Sequence, residues 1–150
     1  MQLQYIATLV AIGALAGCGD ANSPEQQVRE VIEKMEVAAE ARDVGELMEH
    51  LSGDFRDANG MGPEDAARYA RGYFIANQSI HLVTRVEQIE FPTDGEARAR
   101  VTVGMMGREA AAAADAIDLT SLAADLYEFK IALRREDDEW RVTFAEWLRK

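Results

Sequence analysis

The chain has 150 residues, a formal net charge of -11 at pH 7, 48% hydrophobic residues and only three prolines. This length and composition fit one folded domain with its own hydrophobic core, and exclude a disordered or fibrous chain. The negative charge disfavours nucleic-acid binding, because phosphate contacts require clustered Lys and Arg. One cysteine and two histidines allow neither an internal disulfide nor a Cys/His zinc cluster, so we predict no metal and no cofactor.

The amino-terminal segment carries a targeting pattern. Tyr5 to Gly17 is an uncharged, mostly apolar run that is too short to cross a hydrocarbon core about 30 Å thick as a helix. It matches the apolar region of a signal peptide, and small residues follow where a signal protease would cut. "LAGC", Leu15 to Cys18, resembles the bacterial lipobox. The alternative interpretation is an incidental cysteine after an uncleaved apolar helix.

The lipobox resemblance implies a lipoprotein. Cleavage would precede Cys18, its thiol would carry a diacylglyceryl group, and the new amino terminus would be acylated, with palmitate for example. We therefore predict a signal peptide at residues 1–17 and a lipidated tether at 18–23. The product would be anchored in the bacterial cell envelope and face the periplasm. Gly19, standing where an aspartate would oppose export, resembles the signal for the outer membrane.

Three helices are predicted in the first half of the mature chain. Ser23, followed by Pro24 and Gln26, forms a capping-box pattern, and the first helix then carries one apolar stripe. Its glutamates are predicted to form a solvated face: Glu30, Glu33, Glu36 and Glu40. Asp43 is placed to cap a short second helix that reaches Leu51, before "SGDF" breaks the pattern. Gly62 and Pro63 open the third.

The second half has the period of strands. From Ile80 to Phe91 apolar and polar residues alternate, "PTDG" is a turn, and "EARARVTV" completes a hairpin. "LYEFKIAL" and "WRVTFAEWL" form a second hairpin around "RREDDE". The alanine-rich stretch at 108–125 between the hairpins is predicted to be a loop. The order of these elements, three helices followed by two hairpins, predicts an α+β domain, with three helices packed on the apolar face of a curved antiparallel sheet of about four strands.

These elements also resemble a known family. "ARDVGELMEHLSGDF", the tyrosine-bearing third helix and "FKIALRREDDEWRVTFAEW" are similar to the nuclear transport factor 2-like, or SnoaL-like, cone fold over residues 24–150. That superfamily contains isomerases, dehydratases and polyketide cyclases beside noncatalytic binding and dimerisation modules. The resemblance therefore implies a fold without choosing an activity.

Strand parity predicts which side chains face the interior of such a cone. The inward face is almost entirely apolar and includes Trp140, Val142 and Phe144. The polar candidates for a pocket are Thr84, Tyr127 and Glu146 from the strands, with Tyr69 and Tyr73 from the third helix. For each tyrosine a structural hydrogen bond at the core edge is the alternative. His81 is predicted on the opposite face, and His50 at a helix end.

The outer face of the sheet is predicted to collect basic residues. The basic residues at the polar positions of the alternating strand pattern are Arg85, Arg98, Arg100, Lys130, Arg134 and Arg141. They indicate either a solvated face with cross-strand ion pairs, or a surface for a homodimer, a protein partner or anionic lipid headgroups.

Two functions are compatible with these patterns. The first is a lipid-anchored envelope protein whose cone is a ligand-binding or protein-interaction module without enzymatic activity. The alternative is a small-molecule isomerase, dehydratase or cyclase that uses Tyr73, Tyr127 or Glu146.

Overall fold

The computed structural model describes residues 22–105 and 125–150. The elements in chain order are α1 (Pro24–Glu40), α2 (Val44–Glu49), β1 (Leu51–Asp57), α3 (Pro63–Ala76), β2 (Leu82–Thr93), β3 (Glu96–Met105), β4 (Asp125–Glu136) and β5 (Glu139–Arg149). The predicted α+β class and the three helices are confirmed. The predictions for the signal peptide and Cys18 lie outside the described residues, as does the loop predicted at 108–125 except for its last residue.

The helix starts follow the local sequence rules. Ser23 Oγ accepts a hydrogen bond from the Gln26 amide at 3.2 Å, and Asp43 Oδ1 accepts one from the Glu46 amide at 3.0 Å. Both side chains satisfy a backbone donor that has no partner within its helix. α3 begins at Pro63 as predicted, with proline in the first turn.

Within the described residues, the sheet has five strands in the order β1-β5-β4-β3-β2. β1 is a correction, because the sequence predicted about four strands and assigned Leu51 to the second helix. β1 lies parallel to β5, with Leu51 opposite Val142 and Asp57 opposite Ala145. The strand was missed because Gly53 and Asp54 interrupt any alternation, and its ladder forms with residues far along the chain.

A bulge in β5 reverses the parity of the last strand. Ala132 of β4 lies opposite Phe144, but the next residue, Leu133, lies opposite Val142, so Thr143 is the extra residue. The Thr143 hydroxyl donates to the Ala132 carbonyl at 3.3 Å. Beyond this bulge Phe144 faces away from the helices. Its predicted inward orientation is wrong.

The hydrophobic core lies between α1 and one side of the sheet, which we call the helix-facing side. Its buried members are Val28, Ile32, Phe55, Ala97, Ala99, Val101, Leu133, Trp140, Val142 and Ala145. Trp140 Nε1 donates to Gln27 Oε1 at 3.1 Å, and the Phe91 ring packs edge-on against Trp140 at 5.9 Å. These contacts fill the end of the sheet that carries the two hairpin turns.

The opposite end of the sheet is where β2 begins, β3 ends, β4 begins and β5 ends. We call this end the mouth, and the terminal residues that define it are Leu82, Met105, Asp125 and Arg149. In the described part of the chain, the helices are too short or too polar to cross a membrane.

Candidate functional site

One row of paired residues crosses the sheet at the mouth. In this row, successive strands contribute Thr84, Val103, Tyr127 and Arg149. Val103 follows the buried Val101 by two residues, so the row faces the helices, because side chains two apart on a strand share a face. Thr84 and Tyr127 therefore have the inward orientation that the sequence predicted.

The next row into the cone is aromatic. The rings of Phe129 and Trp147 stack with centroids 5.9 Å apart and an interplanar angle of 27°. Both side chains are only half-buried, and so are the neighbouring Val86, Val103 and Ile131. Apolar surface is thus partly uncovered on the helix-facing side near the mouth, whereas Leu133 and Val142, farther from the mouth, are fully buried.

Tyr73 reaches the mouth from α3. Its hydroxyl donates to Met105 Sδ at 3.1 Å. Burial raises the pKa of Tyr73, and the nearby Tyr127, Asp125 and Tyr69 raise it further. Two of the predicted pocket candidates, Tyr73 and Tyr127, therefore lie close enough to interact electrostatically, and the Tyr73 hydroxyl is a neutral hydrogen-bond donor at physiological pH.

Asp125 and Arg149 complete the rim of the mouth. Asp125 lies opposite Met105 in the β3–β4 ladder, and the Arg149 guanidinium binds its carboxylate. The sequence offered no signal for this pair, because Asp125 follows a strandless stretch and Arg149 is nearly at the end of the chain.

Glu36 is an acidic residue whose environment differs from the predicted one. It was predicted on a solvated helix face, but it is half-buried beside β2. Burial raises the pKa of Glu36, hydrogen bonding to Thr84 opposes that rise, and the charges of Glu40 and Glu33 add to it. The only signal in the sequence is that Glu36 lies one turn after Ile32, at the border of the apolar stripe.

Glu146 is not part of the mouth. It lies opposite Lys130, and the carboxylate and ammonium groups are 3.7 Å apart on the outer side of the sheet. The prediction that Glu146 faces the cone is wrong, because the bulge at Thr143 moves every later residue of β5 to the other face.

The two histidines lie in different places: His81 directly precedes Leu82 at the mouth, and His50 lies on the side of α2. His81 precedes β2, and its Nε2 is 3.2 Å from Ser79 Oγ. His50 ends α2 and lines a groove of about 670 Å³ between α1, α2 and the β4–β5 turn. Its Nε2 lies 3.6 Å from Glu46 Oε1, and this nitrogen is buried without a hydrogen-bond partner among the described residues.

The outer side of the sheet carries the predicted basic residues, but it is a face of mixed charge. Arg134 binds Asp54 at 3.0 Å and also Glu136, and these hydrogen bonds raise its pKa. Arg141 binds Glu139 at 2.8 Å. Ion pairs of this kind are what the alternative interpretation, a solvated sheet face, predicts. Two large apolar side chains interrupt the charges: Phe144 is 38% exposed and Leu148 is 56% exposed.

Comparisons with known proteins identify the fold alone. No family model and no curated protein matches the sequence. A candidate scytalone dehydratase from Novosphingobium aromaticivorans superposes with a TM-score of 0.68 at 12% identity, covering 84% of this chain and 83% of that one.

Two further solved structures have the same architecture. A nuclear transport factor 2-like protein of unknown function from Shewanella baltica gives a TM-score of 0.60 at 10% identity, covering 84% of this chain and 93% of that one. A candidate calcium/calmodulin-dependent protein kinase type II association domain from Thiobacillus denitrificans gives 0.62 at 16% identity, with 83% and 93% covered. These likenesses confirm the cone fold that the sequence motifs implied.

Proposed function

We propose that this chain, whose domain has the nuclear transport factor 2-like fold, is a lipid-anchored cell-envelope protein whose cone is a ligand-binding or protein-interaction module. The observation that carries the binding role is the half-buried aromatic pair Phe129 and Trp147, with Tyr127 in the next row of the same face and Tyr73 bonded to Met105 at the mouth. Mostly apolar walls with a few oriented polar groups are typical of small-molecule sites.

The chemistry of the mouth favours a small apolar ligand with one hydrogen-bond acceptor. Stacked rings offer area for an apolar or planar group, and aromatic contacts contribute beyond the burial of area. The Tyr73 hydroxyl donates to a thioether sulfur, which is a weak acceptor. A ligand oxygen would be a better acceptor at the same position, so binding would exchange a weak hydrogen bond for a stronger one.

The ligand role is tested on protein extracted from its native membrane. Native mass spectrometry should detect a small molecule that copurifies with the wild type. Trp147→Ala should lose it, whereas Leu148→Ala, the neighbouring residue on the outer side, should keep it. A wild type that copurifies with nothing and shows no thermal shift in an apolar small-molecule library would contradict the ligand role.

The lipid anchor rests on the lipobox and on the position of the domain. α1 begins at Pro24, so only residues 19–23 separate Cys18 from the first helix. The six residue-to-residue steps from Cys18 to Pro24 span about 20 Å when extended, and two or three acyl chains anchor a protein durably, which would hold the cone close to the bilayer. Intact mass of membrane-extracted protein, compared with Cys18→Ala, should show the mass of the acyl groups on the wild type alone.

A protein partner or second copy would bind on the outer side of the sheet. Phe144 and Leu148 are exposed apolar groups inside a rim of charged residues, which is the usual anatomy of an interface. Phe144→Asp should abolish an association that sedimentation detects in the wild type. Val37→Asp, at a residue that is 60% exposed on α1, is the matched control and should leave the association unchanged.

The second candidate function is a small-molecule isomerase, dehydratase or cyclase. The specific observation in its favour is the neutral Tyr73 hydroxyl at the mouth, a donor that could polarise a ligand carbonyl. Its base would have to come from elsewhere, since Glu146 lies on the other face. Turnover of a bound ligand that Tyr73→Phe abolishes without loss of binding would favour the enzyme.

A further inference from the structure

The first helix runs along the sheet and finishes at the mouth. Near its start, Gln27 Oε1 accepts a hydrogen bond from Trp140 Nε1 at 3.1 Å, beside the β4–β5 turn. At its last residue, Glu40 Oε1 accepts one from the Leu82 amide at 2.8 Å, where β2 begins. α1 therefore starts at the end of the sheet opposite the mouth. We call that end the turn end, because it carries the hairpin turns at 94–95 and 137–138.

The chain that leads into α1 is bound at the turn end as well. Gln27 Nε2 donates to the Asn22 carbonyl at 3.2 Å, so the same amide side chain that binds Trp140 also binds the tether. Ser23 is held next to it as the helix cap. Four residue-to-residue steps therefore separate Cys18 from the folded domain at Asn22, and they extend to about 14 Å at most.

The mouth lies farther from the tether than this length can compensate. α1 has 17 residues and rises about 24 Å from Pro24 to Glu40. If the mouth were turned down onto the bilayer, the start of α1 would stand about 24 Å above the lipid surface, beyond the roughly 14 Å that the tether spans. Lipid attached at Cys18 is therefore incompatible with a mouth pressed against the same bilayer.

The charges of the domain also oppose an arrangement in which it lies along an anionic membrane. The formal net charge of the chain is -11. The turns nearest the tether are acidic, with Asp94, Asp137 and Asp138 at their centres. On the outer side, cations are paired with carboxylates, as Lys130 is with Glu146. Repulsion from anionic headgroups therefore disfavours a domain that rests on its side.

We propose that the lipid anchor sets the direction in which the cone opens: the turn end faces the bilayer that holds Cys18, and the mouth faces the aqueous compartment and takes a small apolar ligand that arrives through water. This inference rests on the anchor and the ligand role proposed above, and adds the direction of entry. The half-buried pair Phe129 and Trp147 lies toward the mouth. A ligand dissolved in the anchoring bilayer would have to travel about the length of α1, roughly 24 Å, before it met this wall.

The distances of the two ends from the lipid surface test the direction. Cys18 is the only cysteine of the chain, and lipidation converts its thiol to a thioether, so one added cysteine alone takes a fluorescent label. Asp94→Cys marks the turn end. Lys150→Cys marks the mouth, because the Lys150 amide donates to the Leu126 carbonyl at 2.8 Å.

Both labelled proteins are measured in their lipidated form, in vesicles of phosphatidylethanolamine and phosphatidylglycerol. Energy transfer to a headgroup-labelled lipid should place the label at position 150 at least about 10 Å farther from the lipid than the label at position 94. A lengthened tether is the matched control. About twelve Gly/Ser residues inserted after Asp20 leave both labelled positions unchanged, and the difference between the two distances should shrink by at least about half.

Uptake of a probe tests the path of the ligand. The probe is 2-octanoylnaphthalene, an apolar molecule with one carbonyl acceptor, and quenching of tryptophan emission in stopped flow reports its binding. The lipidated wild type is placed either in the vesicles that carry the probe or in separate vesicles mixed with them. The uptake rates should agree within about two-fold, because in both arrangements the probe reaches the mouth through water.

Each possible failure has its own signature. Equal distances for the two labels, a nearer label at position 150, or a difference that the longer tether leaves unchanged would overturn the direction. Uptake at least about ten-fold faster from the protein's own vesicles would overturn the aqueous path. An intact mass without acyl groups would overturn the anchor, and a protein that takes up no probe in either arrangement would overturn the ligand role while the measured distances still report the direction.

Discussion

Lys130 Nζ and Glu146 Oε2 are 3.7 Å apart across β4 and β5, on the side of the sheet that faces away from the helices. Lys130 is in turn opposite Arg100 of β3, whose guanidinium is hydrogen-bonded to Gln88 of β2. This polar row crosses four strands on the outer side. It removes Glu146 from any chemistry inside the cone.

The first prediction concerns Glu146 itself. Both side chains of its ion pair with Lys130 are substantially exposed, so Glu146→Gln should change the free energy of unfolding by less than about 0.5 kcal/mol. Binding of any cone ligand should be unchanged, as measured by calorimetry beside Tyr73→Phe. If Glu146→Gln abolished ligand binding and Tyr73→Phe did not, the assignment of Glu146 to the outer side would be wrong.

Leu133 and Leu148 provide a matched pair for the core. Leu133 is 1% exposed among the core residues, and Leu148 is 56% exposed on the outer side. Leu133→Ala should cost about 2–5 kcal/mol of unfolding free energy, because it loses buried surface and leaves a cavity. Leu148→Ala should cost less than about 0.5 kcal/mol in the same urea titration. Similar losses in the two variants would contradict the assigned faces of β4 and β5.

The pKa of Asp57 is lowered, whereas that of Glu36 is raised, so the two residues should change the stability of the protein with pH in opposite directions. Burial would raise the pKa of Asp57, but hydrogen bonds from the Met61 amide at 2.6 Å, the Asn59 amide at 2.9 Å and the Asn59 side chain lower it overall. The stability that these bonds contribute is present above the ordinary pKa of 3.8 and is lost as the pH falls through the lower folded value.

Asp57→Asn should therefore lower the Tm at pH 7 by roughly 5 °C, because an amide offers fewer acceptor sites to the same donors. The difference from the wild type should narrow when both are melted near pH 2.5. Asp54→Asn, at a side chain that is 80% exposed, is the control and should show a small effect at both pH values. A gap that widened in acid would refute the direction of the pKa change.

The β4–β5 turn contains a site for a stabilising substitution. Its central residues Asp137 and Asp138 have φ angles of 49° and 66°, as a type I′ hairpin turn requires. Asp138→Gly removes the steric cost of the left-handed backbone and loses only a 3.6 Å ion pair to Arg135 from a side chain that is 96% exposed. Chemical denaturation should show a gain of about 0.5–1 kcal/mol.

Asp94→Gly in the other hairpin turn is the comparison for that gain. Asp94 does not have a positive φ, so glycine there adds only freedom to the unfolded chain and should destabilise the protein. A gain at Asp94 equal to the gain at Asp138 would remove the backbone explanation.

Features that depend on neighbouring residues could be predicted from the sequence. Ser23 and Asp43 cap their helices because the accepted amide lies three residues on, and Pro63 starts α3 for a similarly local reason. Tyr127 faces the cone because β3 and β4 pair without interruption, so alternation alone gives its side.

Features that depend on distant pairing could not be predicted. β1 forms because it pairs with the free edge of β5, which is far away in the sequence. Glu146 lies on the outer face because Thr143 is an extra, bulged residue opposite β4. Glu36 is half-buried because β2 lies beside its helix.

The sequence by itself determined the helix caps, the strand periods and a lipobox resemblance at Cys18, since these follow from residues within a few positions of each other. Only the tertiary structure decided that Tyr73 and Tyr127 lie at the same end of the cone while Glu146 lies on the outer side of the sheet. The physical reason is that side-chain faces in a sheet are set by register, and a single bulge reverses them without changing the local pattern.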